Sequence, residues 1–108
     1  MANICTNTFF LSNEGNDENY LRIKHKFIEA MDADNGQLYG DITYEDDDFV
    51  EGWFESKWVF PIEIIEEMIP EETEGVYFRC LSEELGCTYI AMNVFKDGYW
   101  WNEQTFDF

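Results

Sequence analysis

Ten Phe, six Tyr and four Trp among 108 residues, within a chain that is 45% hydrophobic, argue against a disordered acidic segment and fit one domain spanning 1–108. Against 24 Asp and Glu stand only 6 Lys and Arg, a formal net charge of −18. Direct binding of nucleic acid or of an anionic membrane is disfavoured by repulsion, whereas a basic protein would be attracted and steered. Solubility asks for a net charge of only about 2–8 in magnitude, so an excess of this size needs a further reason.

In chain order, Ile4–Ser12 reads as a strand with Phe9, Phe10 and Leu11 as its apolar run, followed by the turn Asn13-Glu14-Gly15-Asn16. Asn16 or Asp17 is placed to cap a helix over Asp17–Met31, in which Tyr20, Leu21, Ile23, Phe27, Ile28 and Met31 recur at helical intervals. Turn-formers at Asp32–Gly36 stop it. A hairpin follows, Leu38–Tyr44 and Phe49–Trp58, tipped by Glu45-Asp46-Asp47-Asp48. Its alternation sets Val50, Phe54 and Trp58 on one face and Trp53 on the other.

Pro61 suits the first turn of a second helix carrying Ile62, Ile65 and Ile69, with Glu63, Glu66 and Glu67 facing water and Pro70 as its end. Val76–Ser82, Cys87–Phe95 and Tyr99–Phe106 then predict a meander, turned at Glu83–Gly86 and at Lys96-Asp97-Gly98, where the Asp-Gly step is a strong hairpin signal. The order β-α-β-β-α-β with one or two further strands predicts an α+β fold: a ferredoxin-like, split β-α-β antiparallel sheet with two helices on one face.

Three cysteines, Cys5, Cys80 and Cys87, cannot all pair within the chain. The segment from Met1 to Ser12 lacks the basic start of a signal peptide, and no apolar run approaches about 20 residues. Together these predict a reducing, cytoplasmic setting.

Three short segments carry a family resemblance: Met1, Asn3, Cys5 and Asn7; then Phe54-x-Ser56-x-Trp58-x-x-Pro61; then Glu84-x-Gly86-x-x-Tyr89-x-Ala91. In this order they resemble the YubB-like ferredoxin-fold family of small plasmid, phage and bacterial proteins. Ile4 and Phe60 depart from its pattern, which favours Trp and Pro there. The resemblance implies the fold already read from periodicity and a bacterial or phage-infected cell as the setting. It brings no activity and assigns no catalytic residue.

Sites of chemistry are weakly signalled. The single histidine, His25, lies among Arg22, Lys24 and Lys26, which reads as a solvated helix face, with no Cys at a spacing that makes a dyad. Cys80-x6-Cys87 is not zinc-ligand spacing. Asp32, Asp34, Asn35 and Gly36 imitate a calcium loop, but the sixth and twelfth positions are Gln37 and Thr43 in place of Gly and Glu. Neither metal nor cofactor is expected, and an enzyme is the less favoured class.

The acidic stretches are the better candidates. Glu45, Asp46, Asp47, Asp48, Glu51 and Glu55 read as an acidic prong if they are more than a solvated tip, with Trp53 as an aromatic anchor. Glu63, Glu66, Glu67, Glu71, Glu72 and Glu74 form a second stretch. Trp100 and Trp101 point to opposite faces of a strand, so one is core and the other lies on the open face near Tyr99 or Trp53, unless an added strand or a homodimer covers it. The expected function is a non-enzymatic inhibitor that mimics nucleic acid and occupies a basic DNA- or RNA-handling protein, such as a bacterial defence (CRISPR) nuclease. The alternative is an immunity-type or accessory protein that holds a basic toxin or host factor by aromatic and shape contacts.

Overall fold

Side-chain alternation in the first strand decides the layers. In β1 (Ile4–Asn13), Cys5, Asn7, Phe9 and Leu11 are buried while Ile4, Thr6 and Thr8 are exposed. The computed structural model describes residues 4–32, 36, 38–57, 59–84, 86 and 89–105. Expectations that fall on Met1, Asn3, Asp34, Asn35, Gln37, Trp58, Cys87 and Phe106 lie outside the described residues. After β1 come α1 (Asp17–Ala30), β2 (Tyr39–Glu45), β3 (Phe49–Lys57), α2 (Ile62–Met68), β4 (Val76–Glu84), β5 (Tyr89–Lys96) and β6 (Tyr99–Thr105). The result is an α+β architecture with one six-stranded antiparallel sheet in the order β2-β3-β1-β4-β5-β6.

Asn16 caps α1, its side chain accepting the Asn19 N–H at 2.9 Å, with Asp17 and Glu18 in the first turn where the helix dipole favours acids. Tyr20, Ile23 and Phe27 of α1 and Ile65 and Met68 of α2 are buried in one core with Phe9, Leu11, Val50, Phe54, Phe78 and Phe95. Both helices therefore cover the same face of the sheet. The rings of Phe9, Phe27 and Phe78 stack at centroid separations of 4.9 to 5.9 Å. Each such side chain contributes about 1.5–3 kcal/mol by leaving water, which is how a short chain tolerates so much like charge.

Glycine 52 makes room for that stack. Gly52 pairs with Phe9, and a Cβ there would approach the Phe9 ring to 2.9 Å. At the other side of the sheet, Asp97 (φ 55) and Gly98 (φ 84) both adopt the left-handed conformation that a tight hairpin between β5 and β6 requires.

Two expected boundaries move. Glu83 and Glu84 remain in β4, opposite Ile90 and Tyr89, because Ser82 and Glu84 continue its buried face and the ladder runs on. Pro61 stands just before α2 as its N-cap residue, and Ile69 follows the helix yet stays fully buried. Among the described residues no helix is long and apolar enough to cross a membrane.

The register fixes which connections meet. β1 and β2 run the same way with β3 between them, so the connections 14–16, 46–48, 69–75 and 97–98 all emerge at one end of the sheet. This end is the loop end of the molecule.

Candidate functional site

Four separate turns bring acids to the loop end. Glu14 follows β1, Asp17 and Glu18 open α1, Glu45 to Asp48 join β2 to β3, Glu71, Glu72 and Glu74 precede β4, and Asp97 joins β5 to β6. Backbone bonds tie these turns to one another: Asn13 N–H donates to the Asp48 carbonyl at 2.8 Å, Glu14 N–H to Gly75 at 2.9 Å, and Glu72 N–H to Gly98 at 2.7 Å. The Asn19 amide adds a bond to the Glu74 carbonyl at 2.9 Å. The carboxylates thus stand on a rim that crosses the sheet; Lys24 reaches it through the Asp46 carbonyl, and Lys96 directly precedes Asp97. Solvent exposure of Asp17, Glu18, Glu45, Asp47, Asp48, Glu71, Glu72, Glu74 and Asp97 leaves them available to a partner.

The tip itself divides its labour. Asp46 is not a free prong: its carboxylate accepts the Tyr44 hydroxyl at 2.7 Å and the N–H groups of Asp48 and Phe49 at 2.7 and 2.9 Å. These bonds, the Tyr44 hydroxyl first, hold its carboxyl below the usual range. The Asp46 carbonyl accepts from the Tyr20 hydroxyl (2.7 Å) and the Lys24 ammonium (3.0 Å), docking the tip on α1. Asp47 and Asp48 are left pointing outward.

The buried Tyr20 feels this field. Its phenol is pushed up to about 12, first by burial and then by the charges of Asp46, Asp47, Glu45 and Asp48. An unfolded tyrosine ionises near pH 10, so the folded state holds this proton more tightly. The associated stability is complete below about pH 10 and disappears as pH climbs through about 12. Equilibrium unfolding followed from about pH 9 upward should show that decline, and Tyr20→Phe should make it shallower.

Glu51 and Glu55 lie elsewhere than the tip. They share the helix-free, open face of β3 with Trp53, and seven residues of strand place Glu55 about 23 Å from Asp48. The six carboxylates expected to form one prong therefore split into a tip group and a sheet-face group. Trp53 is half-buried and meets Tyr39 edge-on, with ring centroids 6.1 Å apart. In the second acidic stretch, Glu63, Glu66 and Glu67 are exposed on α2, and Glu71, Glu72 and Glu74 join the loop end.

The tryptophan pair is resolved. Trp100 packs against Phe60, Phe78 and Phe95, its indole N–H donating to the Ile69 carbonyl at 3.1 Å. Trp101 is 62% exposed on the open face, with Tyr99 on the same side of β6. Trp53 is not its neighbour, because four interstrand steps of about 4.8 Å separate β3 from β6.

Sequence reasoning missed a buried polar network on the helix side. Asn7 is fully buried; its amide donates to the Phe54 carbonyl (3.1 Å) and Ser56 hydroxyl (2.9 Å), and its oxygen accepts from Ser82 (2.6 Å) and the Cys5 thiol (3.7 Å). The Tyr89 hydroxyl accepts the Phe60 N–H at 3.3 Å, and Cys5, Tyr89 and Ala91 form a small apolar cluster. Residues from all three resemblance segments thus converge here, which no local periodicity signals. The network is internally satisfied, and burial raises both the Cys5 and Cys80 thiols, making them poor nucleophiles. His25 sits on the solvent face of α1, where its imidazole Nε2 lies 3.3 Å from Glu29. Among the described residues, no group of His, Cys, Asp and Glu is arranged to hold a metal ion.

Compared with protein-family models, with curated proteins and with solved structures, the chain matches none.

Proposed function

We propose that this protein is a non-enzymatic acidic binder that mimics nucleic acid and occupies the basic groove of a DNA- or RNA-handling protein, a bacterial defence nuclease of the CRISPR kind being the favoured partner. The observation that carries the reading is the gathering of carboxylates at the loop end from four turns that lie far apart in the chain. Across six strands this rim extends about 24 Å, over which a DNA duplex presents about 14 phosphate charges. The rim offers acids at a comparable density on a backbone that is already ordered, so little entropy is lost on binding.

The first six elements, in the spatial order β2-β3-β1-β4, support a ferredoxin-like split β-α-β unit to which β5 and β6 add strands. The convergence of Cys5, Asn7, Ser56, Tyr89 and Ala91 supports kinship with the YubB-like family, whose setting is the bacterial or phage-infected cytoplasm. A second reading, an immunity-type or accessory protein that grips a basic toxin or host factor, draws on the exposed aromatic rings Tyr39, Tyr99 and Trp101 of the open face.

Affinity capture from a bacterial lysate distinguishes the two. The immobilised protein should retain nucleic-acid-handling proteins that excess duplex DNA or structured RNA releases, because both ligands compete for one groove. Retained proteins that nucleic acid fails to displace would overturn the mimicry and leave the second reading.

A further inference from the structure

The strand register creates a pattern that the core does not need. On the open face, Tyr39 pairs with Glu55, Asp41 with Trp53 and Tyr44 with Glu51, and on the far side of β3 the same Glu51 pairs with Phe10. Each ring therefore stands one cross-strand step from a carboxylate, and ring and carboxylate alternate along β2 and along β3. The core does not account for it: Tyr39 is 72% and Tyr44 48% exposed, and their ring contacts, Tyr39 with Trp53 and Tyr44 with Phe49, stay on this open face.

A ring face beside a carboxylate suits one cation best. A guanidinium is flat and weakly hydrated, so it stacks on the ring while its N–H fork reaches the acid; a lysine ammonium is a compact, strongly hydrated point charge that uses only half of the arrangement. The protein already shows this stacking on the same face: the Arg79 guanidinium lies 4.3 Å from the Phe10 ring centroid and 5.9 Å from that of Tyr77. The shift in register between Ile42 and Tyr44 interrupts the outer edge of β2, which disfavours simple addition of a partner strand there and leaves the side chains as the means of recognition.

We propose that the open face of β2 and β3 is an arginine-reading surface, which takes guanidinium groups from alternate positions of an extended segment of the basic partner. Tyr39 with Glu55 and Trp53 with Asp41 form its two principal seats. The inference rests on the partner being basic, as in the function proposed above, and adds which cation is read and where.

Calorimetric titration of the full chain with two short peptides of equal length and charge, one alternating Arg with Gly and the other Lys with Gly, tests it. The arginine peptide should bind several-fold more tightly. Tyr39→Ala and Glu55→Gln should each weaken it by about three- to fivefold and remove its advantage over the lysine peptide. Thermal unfolding should be nearly unchanged in Tyr39→Ala, since the ring is exposed. Neutralising Asp47, Asp48, Glu71 and Glu74 should weaken both peptides alike. Equal affinities for the two peptides, or an arginine preference that survives both substitutions, would overturn the arginine-reading surface; if binding in that case still weakened with salt and with loss of the loop-end acids, the acidic-binder function would stand. Failure of both peptides to bind would overturn both.

Discussion

Asn7→Ala should lower the stability of the fold by about 3 kcal/mol, a fall of about 10–20 °C in Tm for a domain of this size. The reason is the fourfold use of one carboxamide. Its loss takes one bond each from the Phe54 carbonyl and the hydroxyls of Ser56 and Ser82 inside the protein, where a group left unsatisfied costs about 1–3 kcal/mol. The losses are not additive, because Ser56 also donates to the Val59 carbonyl at 2.6 Å and keeps that bond. Asn7→Asp should be worse, since a carboxylate there would face the Phe54 carbonyl with no N–H to offer it. Urea unfolding monitored by tryptophan fluorescence measures both. A loss below about 1 kcal/mol for Asn7→Ala would mean that water reaches the network and satisfies it.

Neutralising the outward acids of the loop end should act on binding and stability in opposite directions. In a variant carrying Asp47→Asn, Asp48→Asn, Glu71→Gln and Glu74→Gln, association with a basic partner should slow by about tenfold or more at low salt, because the field that steers encounter is removed. The dependence of the rate on ionic strength should flatten with it. The same variant should melt higher than the parent, since crowded like charges no longer repel. Asp46 is left in place: its carboxylate holds the hairpin turn through Tyr44, Asp48 and Phe49, so replacing it would confuse a structural loss with an electrostatic one.

Local chemistry makes much of this legible in the sequence alone. Strand alternation separated Val50 and Phe54 from Trp53, the helical spacing of Tyr20, Ile23 and Phe27 marked the buried side of α1, Asn16 announced its start, and Asp97-Gly98 announced the last hairpin. What stayed hidden depends on strand order. Glu14, Asp48, Glu72 and Asp97 are far apart in the chain, and only the arrangement β2-β3-β1-β4-β5-β6 sets their turns side by side. Asn7 meets Ser82 across 75 positions, which no window of sequence reveals. A run of four acids gives no hint that Asp46 turns inward while its neighbours turn out. Nor does it separate Glu55 from the tip, since that requires knowing that the strand continues straight to Lys57.

Placement of charge, as opposed to its amount, is the claim on which the account stands. It is tested by comparing the loop-end variant with a second one in which Glu29, Asp32, Glu63 and Glu83, all away from that end, are neutralised instead, so that both carry the same net charge. Association rates with the partner released by nucleic acid should collapse for the loop-end variant and stay within about twofold of the parent for the other. Equal slowing of the two would show that total charge alone drives the encounter, and would contradict a recognition surface built at the loop end.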